Sequence, residues 1–242
     1  AHKIVEGIVP DLMQNNSDFF FIQRLEEPQA IDTIVDLYKN RLPKAYNYSS
    51  IEDIQILSPS RKGIIGVVEL NKRLQQEINP PSKSLSEIKG MIYTFRENDK
   101  VMQTKNNYDI TWNKENEASA GIFNGDIGTI VSVKKVEGTV TINFEGRITD
   151  YSFEMLDQLE LAYAITVHKS QGSEFPVVIL PLLGGFDKLY FRNLLYTAVT
   201  RAKKLLIIVG SKNRVEYMVG NNRKTHRYSC LKSMLVKEIE NE

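Results

Sequence analysis

The first third of the chain alternates short apolar runs with longer segments whose apolar residues recur at helical spacing. The apolar runs at residues 19–23 and 53–57 predict strands, and the segments 26–42 and 64–78 predict amphipathic helices. The second helix is expected to end before Pro80. Because strands that alternate with helices usually form a parallel sheet, this part of the chain predicts an α/β domain.

Between residues 92 and 156 the pattern changes to short β-branched and aromatic runs that are separated by turn residues. An Asn-Gly pair at 124–125 predicts a β-hairpin, and Glu-Gly pairs at 137–138 and 145–146 predict further tight turns. Such a segment is typical of a small antiparallel barrel. The pattern alone leaves open whether the barrel is SH3-like or OB-like.

After residue 157 the alternation of strand and helix patterns returns. Three apolar runs, at residues 159–166, 175–182 and 204–210, predict strands. The segment 191–203 has the spacing of a helix and lies between the last two of these strands. The tail, residues 229–242, predicts a final helix.

The simplest organisation is therefore one parallel-sheet α/β domain with an insertion. We expect residues 1–91 and 157–242 to form the α/β domain, and residues 92–156 to form the inserted antiparallel barrel. The chain starts at Ala1, in the middle of a pattern and without an initiator Met, which leads us to expect a fragment of a longer protein.

Composition and charge limit the partners and the cellular compartment that we expect for the protein. The net charge is +1, so binding to an acidic polymer would have to depend on local basic patches. The lone cysteine, Cys230, excludes an internal disulfide framework and fits a reducing compartment. No apolar run is long enough for a membrane helix, and the amino terminus lacks the apolar core of a signal peptide. We expect a cytoplasmic protein without a membrane partner.

Several kinds of catalytic site lack their sequence signatures. The three histidines are far apart and no cysteine lies near them in a metal-ligand spacing, so we predict no metal site. No GxSxG nucleophile motif is present. No glycine is followed by lysine, and no aspartate is followed by glutamate, so the chain has neither a P-loop nor an Asp-Glu strand. This chain alone is not expected to assemble an ATPase site.

Two segments nevertheless carry residues suited to nucleotide and nucleic-acid chemistry. Arg201 ends a predicted helix and could act as an arginine finger, although its position alone favours a solvated helix end. In the polar run before residue 175, Thr166 and His168 could face nucleic acid while Gly172 and Glu174 face a nucleotide. The alternative is an ordinary loop that leads into a core strand, and the pattern leaves the two interpretations about equal.

Two long segments resemble a known family. LAYAITVHKSQGSEFPVVILPL, at residues 161–182, and RNLLYTAVTRAKKLLIIVG, at 192–210, resemble motifs V and VI of superfamily 1 helicases, most closely the RecD-like branch. Residues 1–12 and 56–80 resemble further segments of that branch. NDKVMQTKNNYD together with FNGDIGTI resembles the beginning of its SH3-like insertion.

The resemblance implies the second RecA-like domain of an ATP-dependent DNA helicase, with 5′ to 3′ movement along single-stranded DNA. ATP with Mg²⁺ would be bound mainly by a first RecA-like domain of the same protein, which carries the P-loop in this family. Whether the parent protein acts alone or with other recombination and repair subunits, as in an exodeoxyribonuclease V alpha-type subunit, stays open. The competing hypothesis is a non-enzymatic module whose barrel recruits nucleic acid or a protein.

The resemblance also assigns roles to residues by their positions in its motifs. Arg201 would be the finger that contacts the γ-phosphate. The residues that would meet the nucleotide are Gln171, Gly172, Ser173 and Glu174. The residues that would contact the DNA strand are Thr166, His168, Ser58, Ser60 and Arg61.

Overall fold

The computed structural model describes residues 1–13, 18–115 and 117–222. Its helices and strands are, in chain order, α1 (His2–Glu6), β1 (Phe19–Gln23), α2 (Glu27–Asp36), α3 (Leu42–Tyr46), β2 (Ile54–Ser58), α4 (Val67–Ile78), β3 (Glu87–Lys89), β4 (Thr94–Arg96), β5 (Lys100–Gln103), β6 (Asn107–Lys114), β7 (Glu117–Ile122), β8 (Ile127–Lys134), β9 (Thr139–Phe144), β10 (Arg147–Ser152), β11 (Leu159–Leu161), β12 (Ala164–Thr166), β13 (Phe175–Leu182), α5 (Arg192–Val199), β14 (Ala202–Gly210) and α6 (Lys212–Gly220). The helix predicted at 229–242, which includes Cys230, lies outside the described residues.

A five-stranded sheet in the order β1-β14-β13-β2-β12 forms the α/β part, and all of its strand pairs are parallel. β2, β13 and β14 are nearly continuous apolar runs because helices cover both faces of the sheet. Residues of α2 and α4 pack in the core on one face, and residues of α1, α5 and α6 pack in the core on the other. The predicted parallel-sheet domain is confirmed.

Seven further strands form an antiparallel sheet in the order β11-β5-β8-β9-β10-β6-β7. The turns predicted at 137–138 and 145–146 join β8 to β9 and β9 to β10. Glu145 and Gly146 both have positive φ, 53° and 91°, which suits the twist of a two-residue hairpin. Along β9, intermediate and buried residues alternate, so one face of this sheet packs inward.

The hairpin predicted from the Asn-Gly pair is wrong, because β7 and β8 are not neighbours in the strand order. Instead, the Gly125 N–H donates to the Gln103 carbonyl (2.9 Å), and the Gln103 N–H donates to the Asp126 carbonyl (2.9 Å). The turn therefore pairs with β5. Residues 123–126 can span only about 13–14 Å, so β7 must end close to where β8 begins. The sheet curls accordingly, as expected for a small barrel.

The single strand predicted over residues 159–166 is also wrong. β11 belongs to the antiparallel sheet and β12 belongs to the parallel sheet, so the chain changes sheets between them. Two buried side-chain amides make this change possible. The Asn71 amide donates to the carbonyls of Leu161 (2.8 Å) and Ala164 (2.9 Å), and its oxygen accepts from the Ala164 N–H (2.8 Å). The Gln55 amide donates to the carbonyl of Ala162 (3.0 Å).

A buried carboxylate joins the same junction to the barrel. Asp99 accepts hydrogen bonds from the side chains of Asn79 (2.7 Å) and Tyr163 (2.8 Å), and also from Gln75. Burial raises the pKa of the Asp99 carboxyl, and the hydrogen bonds oppose that rise. One core cluster contains residues of both sheets, such as Ile56 and Ile142. The two sheets are therefore packed as one body.

Replacing Asn71 by alanine is expected to destabilise the protein by about 3–5 kcal/mol, because three buried backbone groups at the junction lose their partners. Urea unfolding followed by circular dichroism measures the change. The matched control is Gln76→Ala, which removes an exposed amide from the same helix and should change stability by less than about 0.5 kcal/mol. Equal effects of the two substitutions would contradict the role given to Asn71.

Lys100, at the start of β5, is a buried charge-bearing group in the core. Its side chain is 3% exposed, and its Nζ donates to the Ile54 carbonyl at 3.1 Å. Burial lowers the pKa of Lys100 from 10.5 to about 7, while the negative charge of Asp53 opposes the shift. Between these two values the unfolded chain binds a proton that the folded chain lacks, so the free energy of unfolding rises with pH in this window.

Lys100→Met should therefore stabilise the protein most where the buried amine must carry a proton. We expect the midpoint of thermal unfolding to rise by about 5 °C near pH 6, and the gain to shrink by about pH 9. The control is Lys72→Met, which replaces an exposed lysine on α4 and should show no such dependence on pH. A gain at Lys100 that is the same at both pH values would contradict the linkage.

Candidate functional site

The predicted site residues lie at the two opposite edges of the parallel sheet. Thr166 pairs with Ser58, so the carboxyl ends of β12 and β2 lie side by side. Phe175 pairs with Ala202, so β13 and β14 begin together at the amino edge. Residues 167–174 therefore run from the carboxyl edge to the amino edge. The predicted DNA residues and the predicted nucleotide residues lie at opposite ends of this segment, which we call the crossing segment.

At the carboxyl edge, the loops after β2 and β12 carry the predicted DNA contacts. The Thr166 side chain accepts from the Lys169 N–H (3.3 Å) and so caps the 3₁₀ turn that begins the crossing segment. His168 in that turn is exposed. Ser60 is partly exposed, and its hydroxyl donates to the Lys62 carbonyl (2.7 Å). A ligand at the carboxyl edge of the sheet can therefore reach Thr166, His168 and Ser60.

Ser58 differs from its neighbours because it is fully buried. Its hydroxyl donates to the Ile65 carbonyl (2.9 Å) and accepts from the Ser60 N–H (3.2 Å). The Ser58 hydroxyl thus holds the loop in shape, and in this conformation it cannot reach a ligand. The predicted contact at this loop rests on Ser60 and Arg61.

A carboxylate of β11 connects the two loops of the carboxyl edge. Glu160 accepts from Arg61 Nη2 at 2.7 Å and from Lys169 Nζ at 3.1 Å. Sequence reasoning assigned no role to Glu160 or Lys169. Arg61 and Glu160 are far apart along the chain, so no local pattern could have indicated that Glu160 connects the two loops.

At the amino edge, Arg201 contacts the end of the crossing segment. Its guanidinium donates to the carbonyls of Ser173 (3.0 Å) and Thr197 (3.2 Å) and to the Thr200 hydroxyl (3.2 Å). The Phe175 N–H donates back to the Arg201 carbonyl at 2.8 Å. Three donors of the guanidinium are therefore used locally, and a guanidinium has five, so two remain for a ligand.

The position of Arg201 corrects one detail of the sequence prediction. The helix was predicted to extend to Lys203, but α5 ends at Val199 and Lys203 belongs to β14. The physical reason is that pairing with β13 already begins at Ala202. Arg201 consequently lies in the turn between helix and strand, where its side chain folds back onto both.

The remaining predicted nucleotide residues lie beside Arg201. Gln171, Gly172 and Glu174 are exposed, whereas Ser173 is partly exposed. Glu174 Oε2 lies 3.3 Å from Lys203 Nζ, and both side chains are more than half exposed. Surface pairs of this kind contribute little free energy, so this ion pair would be easily exchanged for a ligand.

A cleft of about 660 Å³ separates the amino-edge residues from the barrel. Residues 172–176 line one wall, and residues 125–129, 143 and 145–147 line the other. Lys100 also lines it, and Arg147 on the barrel wall pairs with Asp126 at 3.1 Å. The sequence did not indicate this cleft, because it depends on how the two sheets pack.

Comparison with known proteins shows which families the two parts of the chain are similar to. The family model described as "ATP-dependent RecD-like DNA helicase SH3 domain" matches residues 70–144, and the model described as "UvrD-like helicase C-terminal domain" matches residues 161–209. The chain is 35% identical over 179 residues to the ATP-dependent RecD2 DNA helicase of Deinococcus radiodurans, an alignment that covers 74% of this chain and 23% of that protein. The chain belongs to the RecD-like helicase family.

The RecD-like chain is also similar to other curated proteins that are longer than it is. It is 30% identical over 220 residues to the RecBCD enzyme subunit RecD of Buchnera aphidicola subsp. Schizaphis graminum, covering 87% of this chain and 35% of that subunit. The RecD-like chain thus spans about a quarter to a third of the length of these curated relatives. A crystal structure of Bacteroides Pif1 bound to ssDNA aligns with 90% of this chain and 55% of its own, at 16% identity and a TM-score of 0.47.

Two kinds of feature are absent from residues 1–13, 18–115 and 117–222 of the RecD-like chain. No helix there is long and apolar enough to cross a membrane. The same residues contain no group of three or more His, Cys, Asp and Glu side chains placed to hold a metal ion.

Gly172→Ala is expected to destabilise the RecD-like chain by about 1–2 kcal/mol through backbone strain alone. Gly172 has a φ of 87°, and an added Cβ would meet no atom within 4 Å. Urea unfolding measures the change. The control is Gly220→Ala, where an added Cβ also meets nothing and φ is not positive, so it should be neutral or slightly stabilising. Indistinguishable variants would show that the backbone at Gly172 relaxes without strain.

Proposed function

We propose that this chain is the part of an ATP-dependent DNA helicase that supplies the arginine finger and part of the grip on single-stranded DNA. One observation carries the proposal: Arg201 donates to the Ser173 carbonyl at 3.0 Å. The proposed finger and the proposed nucleotide loop therefore form one unit. Thr166 and His168 stand at the other end of the same crossing segment.

The amino edge is the proposed nucleotide side. Arg201 would use its two remaining donors on the γ-phosphate, where a planar cation can stabilise the charge that develops during phosphoryl transfer. Gln171, Gly172, Ser173 and Glu174 would lie against the rest of the nucleotide. ATP with Mg²⁺ would be held mainly by a first RecA-like domain of the same protein, because this sequence contains no P-loop. This chain alone should show negligible ATPase activity.

The carboxyl edge is the proposed DNA side. Thr166, His168, Ser60 and Arg61 would contact the strand, with the positive charge coming from the side chains of this edge because the net charge is only +1. Contacts of this kind are made mainly to phosphates, so binding should depend little on sequence and strongly on salt. The resemblance to RecD-like helicases adds 5′ to 3′ movement to the proposal, and partners in recombination or repair.

The crossing segment would couple the two sides. It begins with a capped 3₁₀ turn and ends at a strand buried in the core, so both of its ends are attached to the same sheet. When Arg201 and residues 171–174 are drawn toward a nucleotide, Thr166 and His168 would be displaced with them. Repeated closure and release would move the protein along the strand.

Arg201→Ala in the complete protein is expected to reduce DNA-stimulated ATP turnover by about 10³-fold or more, because the transition-state charge loses its partner. Binding of ATP should weaken far less. Steady-state turnover and binding of a fluorescent ATP analogue measure the two effects separately.

The matched control is Lys204→Ala, which removes an exposed positive charge from the neighbouring strand. This variant should keep normal turnover. Thermal unfolding of both variants separates a finger from a structural role, because Arg201 also bonds the end of α5. Turnover close to that of the unchanged protein in Arg201→Ala would exclude the finger assignment.

A further inference from the structure

The Glu160 carboxylate holds two cations of the carboxyl edge at once. Its Oε1 lies 2.7 Å from Arg61 Nη2, and its Oε2 lies 3.1 Å from Lys169 Nζ. The Glu160 side chain is 14% exposed, compared with 46% for Arg61 and 27% for Lys169. The acid is therefore the most buried member of the group, and the two cations reach it from the solvent side.

The two cations lie close enough together to bind the two oxygens of one anion. Each carboxylate oxygen accepts from a different cation, as two non-bridging oxygens of one phosphate would. Arginine and lysine are also the side chains that most often bind phosphate. The position of Glu160 between the two cations is fixed by its strand, because β11 pairs with β5 and Glu160 lies opposite Met102.

We propose that Arg61 and Lys169 form a subsite for a backbone phosphate of single-stranded DNA, and that Glu160 competes with the phosphate for that subsite. The inference rests on the proposed function, because it specifies how the carboxyl edge holds the strand. Glu160 is a positioning residue in this scheme. It aligns the two cations and must be released by them when a phosphate binds.

Competition between Glu160 and a DNA phosphate would limit how tightly the carboxyl edge holds the strand. Each phosphate must displace a carboxylate that then loses both partners, so the net gain from binding is smaller than two free cations would give. When the phosphate leaves, Glu160 takes its place and the cations are again paired. A motor that moves along a strand needs such a contact, because a grip that is too strong would slow release at every step.

Glu160→Gln in the complete protein tests the inference. The substitution keeps the size of the side chain and removes the competing charge. We expect the variant to bind a fluorescein-labelled oligothymidylate about two- to tenfold more tightly at low salt. The slope of log affinity against log salt should steepen by up to about 0.7, the value for one further phosphate contact on a single strand. Fluorescence anisotropy at several salt concentrations measures both quantities.

Two further variants separate competition from a general effect of charge. Glu137→Gln makes the same chemical change at an exposed barrel ion pair, with Lys134 at 3.1 Å, and should leave the affinity unchanged. The double variant Arg61→Gln, Lys169→Gln should bind less tightly. Adding Glu160→Gln to that double variant should not restore the affinity for oligothymidylate, because the two cations that Glu160 would otherwise hold are no longer present.

The outcomes distinguish this inference from the function on which it rests. Unchanged or weaker binding in Glu160→Gln, with a normal thermal unfolding midpoint, would overturn the competition while leaving DNA binding in place. An equal gain in Glu137→Gln would also overturn it. A complete absence of oligothymidylate binding by the unchanged protein would remove the proposed DNA grip itself.

Discussion

The relation between the two sheets depends on the buried amide of Asn71. A chain that leaves an antiparallel sheet and joins a parallel one must break both ladders, and at this junction the backbone groups without ladder partners are buried away from water. The Asn71 amide supplies three of the missing partners in a single side chain. Because β11 and β12 are both short, the amides of Asn71 and Gln55 together help to set where Glu160 and Thr166 lie relative to each other. The candidate site at the carboxyl edge is thus defined by the core beneath it.

The elements that could be predicted from the sequence are those whose signal is local. Residues 175–182 and 205–210 are apolar along their length, as expected for strands buried on both faces, and both belong to strands in the structure. The pairs at 137–138 and 145–146 are turns because their glycines accept positive φ. The division of 159–166 could not be predicted, since both halves are apolar and the amides that separate them come from distant residues.

In the candidate site, too, the sequence predicted what neighbouring residues determine and missed what depends on contacts between distant residues. The resemblance assigned Arg201 and residues 171–174 to the same nucleotide, and in the structure Arg201 donates a hydrogen bond to the Ser173 carbonyl. The resemblance assigned Ser58 to the DNA contacts, but Ser58 is buried, because the following loop folds over it. The roles of Glu160, Lys100 and the cleft against the barrel depend on packing between sheets, which no window of sequence contains.

The crossing segment has a consequence for how this family can change. Its ends are held by two strands of one sheet, and the sheet itself does not stretch. Side chains within the segment can be exchanged while both edges stay in place, but an inserted or deleted residue would shift one edge relative to the other. Its length should therefore be far more restricted than its composition. Related proteins can therefore differ in the side chains that the crossing segment presents at each edge, while the distance between its two ends stays the same.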